Sequence, residues 1–475
     1  MSSTPKPSRL IDRDREWSEL IRLWNTPRPE LVTVLGRRRV GKSYVLGQFL
    51  EHHHGVYYQA TRLTATEQLR AFCDAIGAAF RDAGLPAGVT FQSWTAVFDF
   101  LASRAGQEPM LVVLDEFPYL VEAYPALPSL LQTAWDHQFA RTKIKVVLSG
   151  SYVSAMKRLA DADQPLFGRR TATLPMAPFP YMDAARFLPG HTPRDQALAY
   201  GIFGGMPGYL ALLDPGLTLA ENVQSQIVSP MGRLHDEATH VLDAFLGDAG
   251  VHYSILNAVA DGYHTWAKLT TRVGKTSASL SRPLDWLREM EILRQDFPAT
   301  VRPGVATKLA RYVVQDPYLR FWHRIMAPII SSGATAVRTP AALWKSSVAP
   351  MLDDYMGGVF EEMCRQYVWR SERLPFVPTR VGAWWDRSGT TDVDMVAYDT
   401  QGNVLIGECK WGAGRAEDLR QLRERGALVC QEIGEVKRVY YALFTGRARQ
   451  DAALDRPLAA EDCFRVTLED LYRTA

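Results

Sequence analysis

Residues 31–50 read LVTVLGRRRVGKSYVLGQFL. Leu31 to Leu35 is an uninterrupted apolar run, the pattern of a strand buried on both faces of a parallel sheet. Gly36 and Gly41 then bracket Arg37, Arg38, Arg39 and Val40, and Lys42, Ser43 and Tyr44 follow. Val45, Leu46, Phe49 and Leu50 recur at helical spacing. Strand, glycine loop and helix in this order make a phosphate cradle. The glycines let the backbone curl until its N–H groups converge on phosphate oxygens, and the helix presents its positive dipole end to the same anion. The run Gly36–Tyr44 therefore reads as a nucleotide-binding P-loop on an α/β sheet, with ATP as the ligand. Lys42 reaches the β- and γ-phosphates, and the Ser43 hydroxyl ligates Mg²⁺.

Downstream, MLVVLDE (110–116) is an apolar run that ends in two carboxylates. Acids at the tip of a buried strand are costly unless they hold a cation or do chemistry. Behind a P-loop this is the Walker B position: Asp115 holds Mg²⁺ and Glu116 polarises the water that attacks the γ-phosphate. KIKVVLSGS (143–151) is a further buried strand, and Ser149 at its carboxyl end is a candidate to sense the γ-phosphate, an N-cap being the plainer alternative. Arg169 and Arg170 in PLFGRRT either are structural or reach a neighbouring subunit's phosphates as arginine fingers, which makes a homo-oligomer a candidate assembly. Ahead of the P-loop, Ile11-Asp12-Arg13 is either a lip of the adenine pocket or a solvated helix entry. A helix is expected over 65–84, and His52, His53 and His54 read as a solvated corner, since neighbouring histidines cannot converge on one metal.

The bounds are those of a multidomain protein. A chain of 475 residues suggests about three domains. Its net charge of +2 gives no bulk nucleic-acid signal, so any basic surface must be local. The five cysteines lie scattered without a CxxC pair, which fits a reducing cytoplasm and argues against zinc. No apolar run is long enough to span a bilayer, so no membrane partner is expected.

After a polar break near Pro189–Asp195, residues 195–235 read as mostly helical. Three short helices are expected next, Tyr253–Val259, Thr265–Val273 and Ser277–Met290, then a two-stranded wing, Ile292–Phe297 and Lys308–Val314. The third helix turns Leu280, Leu284 and Leu287 inward and leaves Ser277, Ser279, Ser281, Arg282 and Arg288 outward. This winged helix either contacts DNA or packs within the protein. Ser331–Ala342 reads as a linker, and a helix follows with Phe360, Met363, Cys364 and Tyr367 buried. Asp392–Tyr398 and Val404–Trp411 then form a hairpin about Asp399–Gly402. Glu408 and Lys410, two residues apart, share a face, and a register centred on the turn brings Asp394 near them. Two carboxylates hold a divalent cation and a lysine beside them orients water, the layout of metal-dependent phosphodiester hydrolysis. Mg²⁺ or Mn²⁺ suits that site. The plainer alternative is a salt-bridged sheet face.

The pieces IDRDREWSEL, GRRRVGKS, LVVLDEFPYL, LSGSYVSAM, PLFGRRT and YGIFGGMPGYL, in this order, resemble the archaeal-type P-loop ATPases of the AAA/STAND group that carry a winged helix and a C-terminal nuclease-like domain of DUF234 type. The resemblance implies a RecA/AAA-like core over 1–190, a helical lid over 191–240, a winged helix over 241–330 and a restriction-endonuclease-like α/β domain over 331–475. It places Ser149 at the sensor-1 position and Gly204-Gly205-Met206-Pro207 at the start of the lid, where no arginine is present to act as a sensor-2 residue. In the last domain the residues resemble the PD-(D/E)xK pattern, with Asp394 as its acid, Glu408-Cys409-Lys410 as its ExK and Glu361 as the acid on the preceding helix; Asp392 stands where Glu is usual. The expectation is an ATPase coupled to a metal-dependent DNA nuclease acting in repair or defence. The alternative is a nucleotide switch or scaffold that binds DNA or a partner without cutting.

Overall fold

The computed structural model describes residues 4–81, 90–106, 108–159, 161–243, 249–302, 304–305, 307–447 and 462–473. Five strands, β1 (Glu30–Leu35), β2 (Gly55–Gln59), β3 (Met110–Asp115), β4 (Ile144–Gly150) and β5 (Ala172–Pro175), form a parallel sheet in the order β2-β3-β4-β1-β5. Every residue of β1, β3 and β4 is buried, which is why these strands read as continuous apolar runs rather than alternating ones. Helices cover the sheet: α1 (Asp14–Trp24), α2 (Lys42–Leu50), α3 (Ala65–Ala79), α4 (Trp94–Arg104), α5 (Phe117–Ala123), α6 (Leu127–His137) and α7 (Val153–Arg158). Thr64 and Glu67 close a capping box on α3, and Ser93 caps α4. Phe72, Ile76, Val97 and Leu101 from these helices are fully buried with Val112 and Leu114 of β3, each such side chain contributing about 1.5–3 kcal/mol.

Two expectations change here. The helix expected over 65–84 ends at Ala79, and 82–84 lie outside the described residues. Of the three histidines, His53 is not solvated: it is buried, stacks on Phe49 at 4.0 Å and places Nδ1 2.7 Å from the Phe49 carbonyl. Its ring fills a gap between α1 and α2 that alternation along the sequence does not reveal.

The chain divides into two compact units. Met1–Pro178 with Met206–Gly208 is one, and Phe179–Gly205 with Tyr209–Ala475 is the other. In the second unit, helices Gly250–Ala260, Trp266–Val273 and Ser277–Glu289 precede an antiparallel ribbon of β6 (Leu293–Asp296) and β7 (Arg311–Val314). Thr265 and Thr276 cap the second and third helices, and Leu280, Leu284 and Leu287 are buried as their spacing predicts. The segment expected as a linker, Ser331–Ala342, instead carries the short helices Ala334–Val337 and Pro340–Leu343. Thr339 caps the second of these and Pro340 opens it, so the proline that suggested a break is an N1 residue.

A second, mixed sheet runs β12-β11-β10-β9-β8: β8 (Arg380–Trp385), β9 (Asp392–Tyr398), β10 (Asn403–Lys410), β11 (Arg438–Thr445) and β12 (Cys463–Thr467). β8, β9 and β10 are antiparallel; β10, β11 and β12 are parallel. Helix Leu352–Arg370 carries buried Val359, Phe360, Met363, Cys364 and Val368, while Tyr367 is half-buried. Helix Ala416–Ile433 is the crossover between β10 and β11.

Candidate functional site

The P-loop is built by backbone geometry. Gly41 has φ +94°, a left-handed conformation that only glycine adopts without strain. At Gly36 a Cβ would sit 2.5 Å from the Met176 carbonyl oxygen, so no larger residue fits. Arg39 is also left-handed, at φ +68°, and its carbonyl accepts from the Gly208 N–H at 3.0 Å. Arg38 and Tyr44 are exposed at the loop surface, and Val40 is buried beneath it.

Behind the loop, Arg13 is 3% exposed and donates to the Val40 carbonyl (3.0 Å) and the Ala177 carbonyl (2.8 Å). The Ile11-Asp12-Arg13 turn thus contributes a brace for the loop. Its function was not visible in the spacing, because burial of an arginine is a tertiary fact. Arg13→Ala removes charged hydrogen bonds from the buried Val40 carbonyl and the part-buried Ala177 carbonyl and is expected to destabilise this unit by about 3 kcal/mol. Thermal melts of the wild type and of Arg13→Ala check it. An unchanged midpoint for Arg13→Ala would overturn the bracing role.

Lys42 is buried, and its ammonium donates to the Gly36 and Arg37 carbonyls (2.8 and 3.1 Å) and to Ser151 Oγ (3.0 Å). Burial lowers its pKa, opposed by the nearby carboxylates of Glu116 and Asp115. The Ser43 hydroxyl donates to Asp115 Oδ2 at 2.6 Å, and the Tyr57 hydroxyl donates to the same oxygen at 2.5 Å. Burial first, and then the Asp115 charge, push the Tyr57 phenol well up, so it stays a donor. Glu116, at φ +52°, accepts from both the hydroxyl (2.5 Å) and the N–H (3.0 Å) of Ser151. Lys42, Ser151 and Glu116 therefore form one hydrogen-bonded chain across the cradle. The structure brings together Lys42, Ser43, Asp115 and Glu116. It adds Tyr57, on the strand beside β3, and Ser151, two residues beyond the serine favoured by position.

Ser149 is fully buried, and among the described residues its Oγ has no hydrogen-bond partner. Arg169 is held by Asp136 in a 2.7 Å ion pair, whereas Arg170 is exposed. Neither arginine joins the cluster of Lys42, Ser43, Asp115 and Glu116.

In the second sheet, β9 pairs with β10 through Met395↔Gly407 and Val396↔Ile406, so the next rung sets Asp394 beside Glu408. Asp394 Oδ2 accepts from the Cys409 N–H at 2.8 Å. Glu408 is buried and accepts from Lys410 Nζ at 2.5 Å and from Arg425 Nη1 at 3.4 Å. Glu361, on helix Leu352–Arg370, pairs with Arg365 at 3.6 Å, and Arg365 also donates to the Asp394 carbonyl (3.2 Å). Arg294 of β6 grips the neighbouring Glu362 at 2.6 Å. Burial, then Glu361, then Glu408 raise the Asp394 carboxyl to about 8. Glu361 is raised as well, by burial first. Asp394 and Glu408 stand side by side on adjacent strands, and two such carboxylates are a donor pair of the kind a divalent cation takes. Among the described residues, no group of three or more His, Cys, Asp and Glu is arranged to hold a metal ion. Arg425 and Arg365 were not singled out from sequence; the available signal was a helical arginine four residues after Glu361.

Residues 10–213 match a family described as an ATPase domain predominantly from Archaea, and residues 322–422 match DUF234, archaeal and bacterial proteins of unknown function. The chain joins an archaeal-type ATPase domain to a DUF234 domain. An uncharacterized protein of Methanocaldococcus jannaschii is 24% identical over 418 residues, covering 87% of this chain and 90% of that one. Among solved structures, a Walker-type ATPase of Pyrococcus abyssi is 20% identical, covers 66% of this chain and 96% of its own, and has a TM-score of 0.49. The Aeropyrum pernix ORC2 protein, in ADPNP–ADP complexes, is 14% identical, covers 73% and 98%, and has a TM-score of 0.45. The P-loop, Asp115 and Glu116 all fall inside the ATPase domain, and Glu361, Asp394, Glu408 and Lys410 all fall inside the DUF234 domain. Among the described residues, no helix is long and apolar enough to cross a membrane.

Proposed function

We infer that this protein hydrolyses ATP at the P-loop and uses the nucleotide state to control a metal-dependent DNA nuclease in its DUF234 domain. In the ATPase domain, Lys42 exchanges the Gly36 and Arg37 carbonyls for the β- and γ-phosphates. Ser43 and Asp115, already 2.6 Å apart, would hold Mg²⁺, which when bound supplies charge neutralisation at the phosphate oxygens. Glu116 leaves Ser151 to orient the attacking water. Ser149 reads the γ-phosphate, and Arg169 and Arg170 are the residues to test for action on a neighbouring subunit. The segments 1–190, 191–240, 241–330 and 331–475 would act as core, lid, winged helix and nuclease-like domain. Ser277, Ser279, Ser281, Arg282 and Arg288 are exposed on the third helix, a surface suited to DNA phosphates.

The observation that carries the nuclease reading is the meeting of Asp394 and Glu408 across β9 and β10, with Lys410 2.5 Å from Glu408. Asp394 and Glu408 would hold a Mg²⁺ or Mn²⁺ ion, which supplies a Lewis acid. Lys410 orients the water, and Glu361 adds the acid of the neighbouring helix. The test is cleavage of labelled linear, branched and single-stranded DNA with Mg²⁺ or Mn²⁺, with and without ATP. One observation favours the second reading, a switch that binds without cutting: Glu408 is already neutralised by Lys410 and Arg425. ATP hydrolysis with no cleavage of any substrate would select that reading.

With its pKa raised to about 8, Asp394 carries a proton at neutral pH in the metal-free fold. A raised carboxyl binds its proton more tightly folded than unfolded, so its contribution to stability is full at acid pH and is lost as pH rises towards 8. A divalent cation must displace that proton. Mn²⁺ affinity is expected to rise about tenfold per pH unit between roughly pH 6 and 8 and to level off above. Titration calorimetry in buffers of different ionisation heat checks it; absence of proton release at pH 7 counts against the metal site.

A further inference from the structure

Two hollows flank the acid pair in the second unit. One, of about 360 Å³, is lined by Arg311, Arg320 and Arg324 together with Glu361 and Asp394. The other, of about 530 Å³, is lined by Lys410, Arg415 and Arg447 together with Asp353 and Asp354. Helix Leu352–Arg370 walls both. Asp354, Gly357, Gly358 and Glu361 are spaced three or four apart and form one stripe of it. The first two line the second hollow and the last two line the first. Two contacts join the hollows. Arg324 of the first is paired with Asp354 of the second. Asp394 of the first accepts from the N–H of Cys409, which lines the second. At the junction the helix has no side chains, because Gly357 and Gly358 stand there, and a Cβ on Gly357 would meet nothing within 4 Å.

We propose that these hollows are two halves of one trough that binds a single nucleic-acid strand, with Arg324–Asp354 as a latch across it. The proposal rests on reading Asp394, Glu408 and Lys410 as a phosphodiester-acting site, and it names the substrate class of that site. The strand's backbone passes over the glycine pair. One neighbouring phosphate lies on Arg311, Arg320 and Arg324, another on Arg415 and Arg447, and the phosphate between them lies against Asp394 and Lys410. Each hollow is the size of a small-molecule pocket, ~300–1,000 Å³, which admits about one nucleotide and excludes a paired duplex. The two linings carry eight cationic and seven acidic side chains, so the trough is near neutral overall and its attraction for phosphate is local, at Arg311, Arg320 and Arg324 on one side and at Arg415 and Arg447 on the other. Opening the latch frees the Arg324 guanidinium for a phosphate oxygen and removes a carboxylate from the strand's path.

The test uses the full chain in EDTA, so that binding is read without cleavage. Anisotropy of a labelled oligothymidine of about twelve nucleotides is compared with the same length of duplex. The single strand should bind at least about tenfold more tightly. Arg324→Ala and Arg447→Ala should each weaken binding about five- to tenfold and lower the salt slope by about 0.7. Asp354→Asn should tighten it about threefold. Arg420→Ala, an exposed arginine on helix Ala416–Ile433 that does not line the trough, is the control and should change nothing. Opposite signs for Arg324→Ala and Asp354→Asn separate a latch from a merely structural ion pair, whose loss from either side lowers affinity or leaves it alone. Duplex binding as tight as single-strand binding overturns the proposal, as does an unchanged salt slope in both arginine variants. If strand binding shows this signature and no cleavage occurs with Mn²⁺, the nuclease reading falls while the trough stands. If DNA is cut but only duplex binds, the trough falls while the nuclease stands. An oligouridine arm tells RNA from DNA.

Discussion

Lys42→Ala is expected to lower ATP turnover by about 10³-fold while leaving the melting temperature of the nucleotide-free protein unchanged or slightly raised. The two halves of this expectation come from one fact. Lys42 is buried against the Gly36 and Arg37 carbonyls and Ser151 Oγ, and burial lowers its pKa. A lysine whose ammonium is disfavoured by its surroundings costs the resting fold something, so truncating it removes a strained charge along with three hydrogen bonds. Its return comes only when phosphate charge arrives. A coupled assay of phosphate release and a thermal melt, run on the same preparation, check both halves. Turnover within about threefold of wild type would remove Lys42 from the phosphate site. A melting temperature many degrees lower would make it a structural residue.

The second large effect is expected at Asp394. Asp394→Asn keeps the size of the side chain and an oxygen to accept the Cys409 N–H, but it cannot carry the charge a cation needs. Metal-dependent cleavage should fall by about 10³-fold, equivalent to about 4 kcal/mol of transition-state stabilisation. Stability should move the other way. Above about pH 8 the wild-type carboxylate ionises against Glu361 and Glu408, and the amide escapes that repulsion, so metal-free Asp394→Asn should melt at a higher temperature than wild type at pH 9. Loss of cutting together with a gain in alkaline stability marks a functional acid. Lys42→Ala, run beside it, should change only the ATP dependence of cutting. Cleavage that survives Asp394→Asn would exclude Asp394, Glu408 and Lys410 as the cleavage site.

What could be read from the chain, and what could not, divides along physical lines. β1, β3 and β4 were legible because strands buried on both faces must be apolar throughout, and the acids at the tip of β3 stood out against that background. The hairpin of β9 and β10 was legible because Asp399–Gly402 fixes the register, and the register sets Asp394 beside Glu408. β5 and β12 escaped: ATLP and CFRVT are short and only partly buried, so no sustained run announces them. Ser151, Tyr57 and Arg365 escaped for another reason. Each acts through a partner far away in sequence, Glu116, Asp115 and Asp394, and spacing along one element carries no information about a partner on another. Glu361 was found only through resemblance, since along the sequence a glutamate beside an apolar stripe looks like any solvated helix acid.

Met206, Pro207 and Gly208 belong to the ATP-binding unit although the chain on both sides of them belongs to the other. Gly208 donates to the carbonyl of the left-handed Arg39, and a Cβ there would sit 2.8 Å from the Arg39 Cβ. The ATP-binding unit is thus woven from two separate lengths of polypeptide. No single scission can release it whole: a fragment ending at Pro178 lacks the piece that braces its own loop, and one long enough to include that piece drags along part of its neighbour. In a cell, a ribosome stalled before residue 206 would leave a P-loop that is fully synthesised and still unfinished.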